Sequence, residues 1–335
     1  MIYAGAAALV LMLGGCLPEI PQKNPYLLEP PPAPEGIREI PHTFALRMIS
    51  GRAAKSVDLR VFDTGTIRAR GEAVSSLKSY GAKIKMAAPA FLVRHSAEGL
   101  VLIGTGLSPE KKRRPSAEFL HAVRYLASLD YGFRYKQKRK QNLVSQLVRA
   151  GVDPADVKWL VVPYWDATTV GMLDAFPGAV VVISRREWEW RSSKTKEGRP
   201  PGPLDPQAFK DKIKLRLVDL ASEPAFGAFD NGHDLFGDKS LVLVSLPGRT
   251  PGNMGVWVNL DRGPALFTGG AAFVVDNYLD LALPVKGKIH DLEDYWRSLH
   301  IVQAMMKAVP RLVVIPGNDL TPLKLAGTRP DIKTR

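Results

Sequence analysis

The sequence has one cysteine among 335 residues, so an internal disulfide framework is excluded. Its six histidines show no His-x-His and no His-Glu-x-x-His spacing, the patterns that would indicate a metal site. The serine-hydrolase elbow Gly-x-Ser-x-Gly is missing, as are the phosphate loop and a Gly-x-Gly-x-x-Gly between strand and helix. Most common catalytic signatures are therefore absent. An acid–base pair of carboxylates, such as Asp166 with Asp319, stays open as a weak signal.

The N-terminal segment carries no charged residue before Cys16. Ile2 to Gly15 is small and apolar and too short to span a bilayer comfortably. It ends in Leu13-Gly-Gly-Cys16, which resembles the bacterial lipobox that is cut before its cysteine. The pattern predicts a signal peptide over residues 1–15 and a lipid such as palmitate on Cys16. Because no Lys or Arg precedes the apolar run, an uncleaved hydrophobic segment with an ordinary cysteine is the alternative.

Residues 16–36 are poor in helix and strand formers and rich in proline, with Pro30-Pro31-Pro32 at the centre. Such a stretch favours an extended polyproline conformation and predicts a tether. We therefore divide the chain into a signal peptide over 1–15, a lipidated cysteine and tether over 16–36, one folded domain over 37–325 and a tail over 326–335. A chain anchored in this way would lie at the bacterial cell envelope.

Acidic residues are fewer than basic ones, 33 against 46, and the formal net charge is +13. Without an anchor this charge would favour nucleic acid as a partner. With a lipid anchor, the membrane itself, anionic lipid head groups or anionic envelope polymers are the expected partners instead. A lipid chain combined with basic residues is the two-signal arrangement that gives stable membrane attachment. A small-molecule ligand in a cleft is a further candidate partner.

Short β-rich runs separated by glycine and charged turns dominate residues 43 to 103 and recur from 214 to 315. Helical patterns lie between and after them, at Asn142–Ala150, Arg185–Arg191 and Leu292–Ala308. Strand groups with intervening and terminal helices, repeated in two halves, predict a four-layer αββα sandwich of the mixed α+β or α/β class. The predicted strands are Thr43–Met48, Val57–Ile67, Ala90–Val93, Leu100–Ile103, Trp159–Val162, Ala179–Ser184, Lys214–Leu217, Leu241–Leu246, Met254–Asn259, Ala265–Thr268 and Arg311–Ile315.

The stretch from Trp159 to Pro177 is the centre of the chain's organisation. An apolar β-branched run ends at Pro163, which lacks an N–H and suits a strand end. A polar turn follows, and Val170 to Phe176 has a short helical pattern for which Thr168 and Thr169 are candidate N-caps. Strand, turn and short helix would bring four polar residues to one sheet edge, where loops usually carry sites: Tyr164, Asp166, Thr168 and Thr169.

This frame resembles the metallo-β-lactamase superfamily, and within it the N-acyl-homoserine lactonases, whose turn reads His-x-His-x-Asp-His before Gly-Gly-Leu. The segment Gly171-Met-Leu173 and the following Asp-Ala-Phe-Pro carry the resemblance. They place Tyr164 and Asp166 under the first two histidines, Thr168 under the aspartate and Thr169 under the third histidine. The resemblance implies a sandwich fold, but none of these four ligands is retained.

The other landmarks of the superfamily have matching scaffolds and altered chemistry. Leu246 to Asn253 resembles Pro-Gly-His-Thr-Pro-Gly-His, with Arg249 in place of a ligand histidine and Asn253 in place of the second histidine. Asn318 replaces the last histidine of the closing Gly-His-Asp. Gly104 and Gly270 stand where the strand and bridging aspartates would be, and Phe273 lies where lactonases carry a tyrosine. The segment Ser108 to Gln141 contains two basic runs, Lys111–Arg114 and Arg134–Lys140, interleaved with aromatic residues that include Phe133 and Tyr135. The resemblance implies a basic flap that lines or covers the cleft, and the alternative is the solvated positive faces of a helix and a loop.

A di-zinc hydrolase needs imidazole nitrogens and carboxylates at about 2.0 to 2.2 Å, with three or more protein ligands for each ion. The matching positions supply one carboxylate, from Asp166, and Arg249 is a permanent cation with no lone pair to donate. The resemblance implies zinc, yet the residues predict no cofactor and no catalytic metal site. We expect Arg249 to replace the lost metal charge by pairing with Asp166, because an unpaired carboxylate in a cleft is costly.

Three interpretations of the cleft follow from these residues: a vestigial cleft filled by polar groups, a retained ligand-binding cleft without metal, and a rebuilt active site. The candidate cleft residues are Tyr164, Asp166, Thr168, Thr169, Arg249, Asn253 and Asn318, and none is assigned as catalytic. The substitutions favour a non-catalytic pseudoenzyme that binds or scaffolds at the envelope. The alternative is a hydrolase of lactones or related esters with a rebuilt or metal-independent site.

Overall fold

The structure is a computed structural model and describes residues 27–40, 43–44, 57–108, 133–193, 205–261 and 263–326. The predicted signal peptide, Cys16, the basic run Lys111–Arg114 and the tail beyond residue 326 lie outside the described residues. Within the described ranges no helix is long and apolar enough to cross a membrane.

Two mixed sheets form the centre of the domain. The first has seven strands in the order β4-β1-β2-β3-β5-β6-β7 and the second has five in the order β12-β11-β10-β9-β8. The first sheet contains β1 Val57–Arg70, β2 Lys83–His95, β3 Gly99–Ile103, β4 Arg134–Lys136, β5 Val157–Val161, β6 Val180–Ser184 and β7 Lys214–Val218. The second contains β8 Gly232–Asp234, β9 Leu241–Ser245, β10 Met254–Leu260, β11 Gly263–Phe267 and β12 Val313–Ile315.

Helices cover the outer faces of both sheets, which gives the predicted four-layer αββα sandwich. The helices are α1 Leu143–Arg149, α2 Arg185–Ser192, α3 Val275–Leu279, α4 Leu292–Ala308 and α5 Thr321–Leu325. Between the sheets the β-branched and aromatic faces of the strands interlock, and the rings of Phe91 and Phe267 lie 4.5 Å apart. Leu143 of α1 and Trp188 of α2 pack on the first sheet, and Tyr295 of α4 packs on the second.

Local sequence explains where these helices begin. The side chain of Asn142 accepts a hydrogen bond from Ser145 N and caps α1, and Asp291 accepts from Asp294 N and caps α4. Helix α4 has the predicted limits, and its apolar residues recur at helical spacing, so that one face is buried. The prediction of helix Asn142–Ala150 is confirmed apart from its two capping residues.

Three details differ from the sequence-based expectation. Thr43 and Phe44 are helical, so the strand predicted at Thr43–Met48 is wrong at these residues, and the rest of it lies outside the described ones. The helix predicted after Thr169 shrinks to a 3₁₀ turn at Leu173–Ala175, because Thr168 and Thr169 bond within the preceding turn and do not cap. Strands β4 and β8 were not predicted, since three polar residues carry little periodicity.

The described part of the proline-rich segment lies against the domain. Trp296 Nε1 donates to Pro32 O at 3.1 Å, and Arg297 Nη1 donates to Glu35 O at 2.9 Å. Leu28 and Ile37 pack against the cluster around α4. Residues 27–40 therefore lie against helix α4, so residues 27–36 of the predicted tether are not free of the domain.

Candidate functional site

The site lies where four strand ends meet at one edge of the sandwich. The turn after β5 comes from the first sheet, and the turns after β9, β11 and β12 come from the second. Backbone bonds join the two sheets at this edge, since Met254 N donates to Pro163 O at 2.8 Å and Asn318 O accepts from Ala87 N at 2.9 Å. The edge is thus a rigid frame on which loop side chains can be positioned.

The turn after β5, residues 163–171, is held by its own side chains. Asp166 Oδ1 accepts from Thr168 N and Thr168 Oγ1, each at 3.0 Å. Thr169 Oγ1 donates to Tyr164 O at 2.5 Å and accepts from Asp166 N at 3.1 Å. Thr105 N, after β3, donates to Thr169 O at 2.7 Å. These bonds leave the second oxygen of Asp166 to face the cleft.

The turn between β9 and β10, residues 246–253, is held by close packing. A Cβ on Gly252 would lie 2.5 Å from Glu187 Cα, and a Cβ on Gly248, whose φ is +122°, would overlap the backbone of Tyr295. Asn253 is buried: it donates to Leu246 O at 2.7 Å and accepts from Gly270 N at 2.6 Å. The turn is pressed against α2 and α4, and Arg249 at its tip extends over the cleft.

Arg249 is the central charge of the site. Its Nη2 lies 3.6 Å from Asp166 Oδ2, so the predicted pair is within salt-bridge reach. Its guanidinium carbon is 4.2 Å from the ring centre of Phe273 and 4.9 Å from that of Tyr164. A cation between two ring faces and a carboxylate is well compensated. The Nη1 atom of Arg249 is buried and has no hydrogen-bond partner among the described residues.

Burial and neighbouring charges set the protonation states of Tyr164 and Arg249. Burial raises the pKa of the Tyr164 phenol, and the nearby Arg249 cation offsets only part of that rise. Burial opposes the charged form of Arg249, but Tyr164 and Asp166 outweigh it and raise the pKa of the guanidinium above its usual value. At neutral pH the site therefore holds a neutral phenol and a permanent cation.

A cavity of about 300 Å³ opens beside Arg249. Its apolar lining consists of Ile67, Phe133 and Phe273. The polar lining consists of Tyr135, Asp166, Thr168, Arg249, Lys288 and Asn318. A mostly pre-formed pocket with an apolar wall and a few convergent polar groups is typical of a small-molecule site.

The structure brings four of the seven predicted cleft residues to this cavity: Asp166, Thr168, Arg249 and Asn318. Tyr164 and Thr169 lie behind it, beside a second space of about 30 Å³. Asn253 holds backbone groups and lines neither space.

Sequence reasoning did not assign Ile67 and Lys288 to the cleft. Phe133 and Tyr135 were visible in advance only as aromatic residues between basic ones. No local signal marks Lys288, which reaches the cleft from the loop before α4 and lies 4.0 Å from the ring centre of Phe133.

The donor set does not fit the zinc ions that the resemblance implies. In the described part of the chain, no three His, Cys, Asp or Glu side chains come close enough to share an ion. Asn318 donates to Ala87 O at 3.1 Å, and Arg249 packs where a side chain on Gly270 would otherwise project. A guanidinium with no lone pair thus stands where the superfamily places a histidine.

Comparison with solved structures identifies the fold. An N-acyl homoserine lactone hydrolase with N-hexanoyl-L-homoserine at its catalytic metal centre superposes with a TM-score of 0.62 at 16% identity. The match covers 82% of this chain and 98% of that one. A probable metal-dependent hydrolase from Staphylococcus aureus gives 0.56 at 11% identity, over 79% and 90% of the two chains. The chain therefore has the metallo-β-lactamase fold.

Curated sequences refine this comparison. The chain is 26% identical over 265 residues to the N-acyl homoserine lactonase AttM of Azorhizobium caulinodans, which covers 78% of this chain and 94% of the relative. It is 29% identical over 231 residues to AttM of Agrobacterium fabrum, over 68% and 81% of the two chains. No family model matches the sequence.

These relatives correct the functional interpretation. Proteins named as lactonases align with most of this chain, so the prediction of a non-catalytic binding or scaffolding protein, a pseudoenzyme, is wrong. The hydrolase alternative is the better supported one. That prediction rested on the substitutions at the ligand positions that the resemblance implies, whereas the cleft itself holds the half-buried Arg249 cation beside the Asp166 carboxylate.

Proposed function

We propose that this protein is a hydrolase of lactones or related esters, close to the N-acyl homoserine lactonases, with a rebuilt site that does not use a metal ion. The relatives named above support the reaction class. The observation that carries the proposal is the Arg249 guanidinium, held 3.6 Å from the Asp166 carboxylate at the wall of the cavity. The pair places a cation, Arg249, for the oxyanion and a base, Asp166, next to each other.

Arg249 would stabilise the negative charge that develops on the carbonyl oxygen. Donors that are oriented in advance toward a developing oxyanion, in a site of low dielectric, contribute much of the rate enhancement in enzymatic acyl transfer. Arg249 lines the cavity, so its guanidinium can donate to a carbonyl oxygen bound there. The packing of Phe273 and Tyr164 against the guanidinium keeps it in place.

Asp166 would act as general base. Thr168 holds one carboxylate oxygen through two bonds, which fixes the plane of the group and leaves the other oxygen toward the cavity. The carboxylate takes a proton from a water molecule while the water oxygen bonds to the carbonyl carbon. The ester C–O bond then breaks, and the proton on Asp166 passes to the departing alkoxide. The products are a carboxylate and an alcohol, joined in one molecule when the substrate is a lactone.

The shape of the cavity suits a small lactone with an apolar substituent. Ile67, Phe133 and Phe273 provide an apolar wall for an acyl chain, and Lys288 and Tyr135 provide polar groups at the rim. A volume of about 300 Å³ is at the lower end of the range for small-molecule pockets. Short acyl chains should therefore be preferred to long ones.

The test is hydrolysis of N-hexanoyl homoserine lactone and of an aryl ester by the full chain, with metal content measured on the same sample. We expect turnover that persists in chelator and does not rise with added zinc. Arg249→Met and Asp166→Asn should each lower kcat/KM by about 100-fold or more. Asp174→Asn, an exposed carboxylate on the same segment, serves as matched control and should leave kcat/KM unchanged.

Turnover that appears only with zinc would overturn the metal-independent site and leave the lactonase assignment standing. Full activity of Arg249→Met would remove the guanidinium from the mechanism. Absence of turnover with both substrates, with and without zinc, would contradict the proposed function itself.

We also infer a place of action at the bacterial envelope, through a lipid on Cys16. The support is the Leu13-Gly-Gly-Cys16 sequence followed by a proline-rich segment. Metabolic labelling with a palmitate analogue should mark the wild-type chain and not the Cys16→Ser variant. Labelling of both variants, or of neither, would contradict the anchor.

A further inference from the structure

Three cations lie side by side on the edge of the first sheet. In the strand register, Arg68 of β1 is paired with Lys85 of β2 on one side and with Arg134 of β4 on the other. All three residues are exposed. Neighbouring strands are about 4.8 Å apart, so the row places three positive side chains within about 10 Å.

The neighbouring rows add further cations to the same face. Side chains alternate between the two faces of a strand, and residues paired across strands share a face. Arg70 is paired with Lys83, and Thr66 with Lys136, two positions from the central row on each side. The six cations define a basic face on strands β4, β1 and β2: Arg68, Arg70, Lys83, Lys85, Arg134 and Lys136.

The opposite side of these strands belongs to the cleft. Ile67 and Met86 alternate with the cations, are buried at 1% and 5% exposure, and pack with Phe273. Ile67 and Tyr135 line the cavity. The basic face is thus the back of the cleft wall and uses none of the side chains that line the cavity.

Such a row is unfavourable for folding in isolation. Like charges directly opposite each other on neighbouring strands destabilise a sheet. Glu72 compensates part of the charge by pairing with Arg70 at 3.3 Å, but the central row consists of three cations in register. A row of this kind presents concentrated positive charge that an anionic surface would compensate.

The loop at the end of the basic face carries exposed apolar groups. Residues 71–82 connect β1 to β2, and within them Leu77 is 61% exposed and Tyr80 is 58% exposed. The Arg70 guanidinium lies 6.0 Å from the centre of the Tyr80 ring. Tyrosine beside basic residues is typical of membrane interfaces, where the ring lies at the level of the head groups. A soluble polyanion would gain little from the exposed leucine.

We propose that the basic face, together with Leu77 and Tyr80, binds the head-group surface of anionic phospholipids. Each cation near an anionic bilayer adds about fivefold to the affinity, and the apolar loop adds shallow insertion. The surface is distinct from the cleft and from the Cys16 anchor, so it orients the domain whether or not a lipid is attached.

The experiment uses the full chain with Cys16→Ser, so that no acyl group contributes, and sedimentation with vesicles of phosphatidylcholine containing 0 or 30% phosphatidylglycerol. We expect binding to the anionic vesicles that is suppressed by about 0.5 M salt. The variant Arg68→Gln/Lys85→Gln/Arg134→Gln should lose about 100-fold in affinity. The matched control is Lys210→Gln/Lys212→Gln/Lys214→Gln, which removes the same charge at the opposite edge of the sheet and should bind nearly as well as the parent.

A second variant, Leu77→Ser/Tyr80→Ser, separates a membrane from a soluble polymer. We expect it to weaken vesicle binding and to leave binding to polyphosphate unchanged. Equal losses of vesicle affinity in Arg68→Gln/Lys85→Gln/Arg134→Gln and in Lys210→Gln/Lys212→Gln/Lys214→Gln would overturn the proposal, because net charge would then explain the binding. Tight polyphosphate binding without vesicle binding would assign the face to a polymer. The midpoint temperature of thermal unfolding of Arg68→Gln/Lys85→Gln/Arg134→Gln should equal or exceed that of the parent at low salt. That result would exclude misfolding as the cause of lost binding.

Discussion

The two turns that meet over the cleft are stabilised in different ways. The first-sheet turn, residues 163–171, is held largely by hydrogen bonds from its own side chains, Asp166, Thr168 and Thr169. The second-sheet turn, residues 246–253, is held by glycines packed against the backbones of α2 and α4. Polar bonds are replaceable one at a time, whereas a missing Cβ against a backbone has no substitute. The first turn should therefore tolerate substitution better than the second, except at Gly171, where an added Cβ would overlap the backbone of Gly106.

The largest effect should come from Gly252→Ala in the second-sheet turn. The new Cβ would lie 2.5 Å from Glu187 Cα, and a helix backbone cannot yield without displacing α2. We expect a loss of about 4 kcal/mol in the free energy of unfolding, measured in urea. Gly178→Ala, where a Cβ meets nothing within 4 Å, is the control and should change stability by less than about 0.5 kcal/mol. A Gly252→Ala protein as stable as this control would remove the distinction between the turns.

Asp166→Asn should have the next largest effect, because it affects both turns. Loss of the carboxylate leaves the Arg249 cation, whose side chain is only 14% exposed, without its charged partner. We expect the free energy of unfolding to fall by about 2–3 kcal/mol, less than for a fully buried pair because Asp166 itself is 20% exposed. Asp174→Asn is again the control. An unchanged stability would show that the pair adds nothing across the cleft.

Thr169→Val tests the hydrogen bonds within the first-sheet turn. The hydroxyl donates to Tyr164 O and accepts from Asp166 N, and valine keeps the shape while removing both bonds. We expect a loss of about 1–2 kcal/mol in urea unfolding. Thr169→Ser retains the hydroxyl and should keep most of the unfolding free energy that Thr169→Val loses. If serine were more destabilising than valine, the methyl packing and not the bonds would hold this turn.

The smallest effect should be the pH dependence of the contact between Tyr164 of the first turn and Arg249 of the second. A raised folded pKa stabilises the protein below the unfolded pKa, and the benefit is lost as pH rises through the folded value. The pKa of Tyr164 and that of Arg249 are both raised, so the contribution of the phenol stays complete up to about pH 10 and that of the guanidinium to still higher pH. The difference in unfolding free energy between wild type and Arg249→Met should be constant from pH 6 to 9.5. A change in this difference within that pH range would mean that another group near Tyr164 and Arg249 titrates.

Much of the fold could be predicted from local patterns. Helix α4 was predicted at its observed limits because its apolar residues repeat every three to four positions. Proline and glycine marked the strand ends, and the turn carrying Asp166 was located from Pro163. The pairing of Asp166 with Arg249 was predicted from the resemblance, which placed both at ligand positions, and from charge balance, and their side chains lie 3.6 Å apart.

The membership of the cleft was harder to predict. Asn253 and Asn318 were both expected to line the cleft. Asn318 does, but Asn253 faces backbone carbonyls, and Lys288 takes a place that no motif marks. Which polar group faces a cavity depends on what neighbouring strands offer it, and those strands are distant in the chain.

The sequence by itself determined the sandwich, the strand-end turns and the lack of any His-x-His spacing, since each follows from residue type and short-range spacing. Only the tertiary structure decided the surroundings of Arg249, the apolar lining of the cavity and the alignment of Arg68, Lys85 and Arg134 in one row. The reason is that strand register and sheet order join segments far apart in sequence, and a shift of one residue would turn every one of these side chains to the other face.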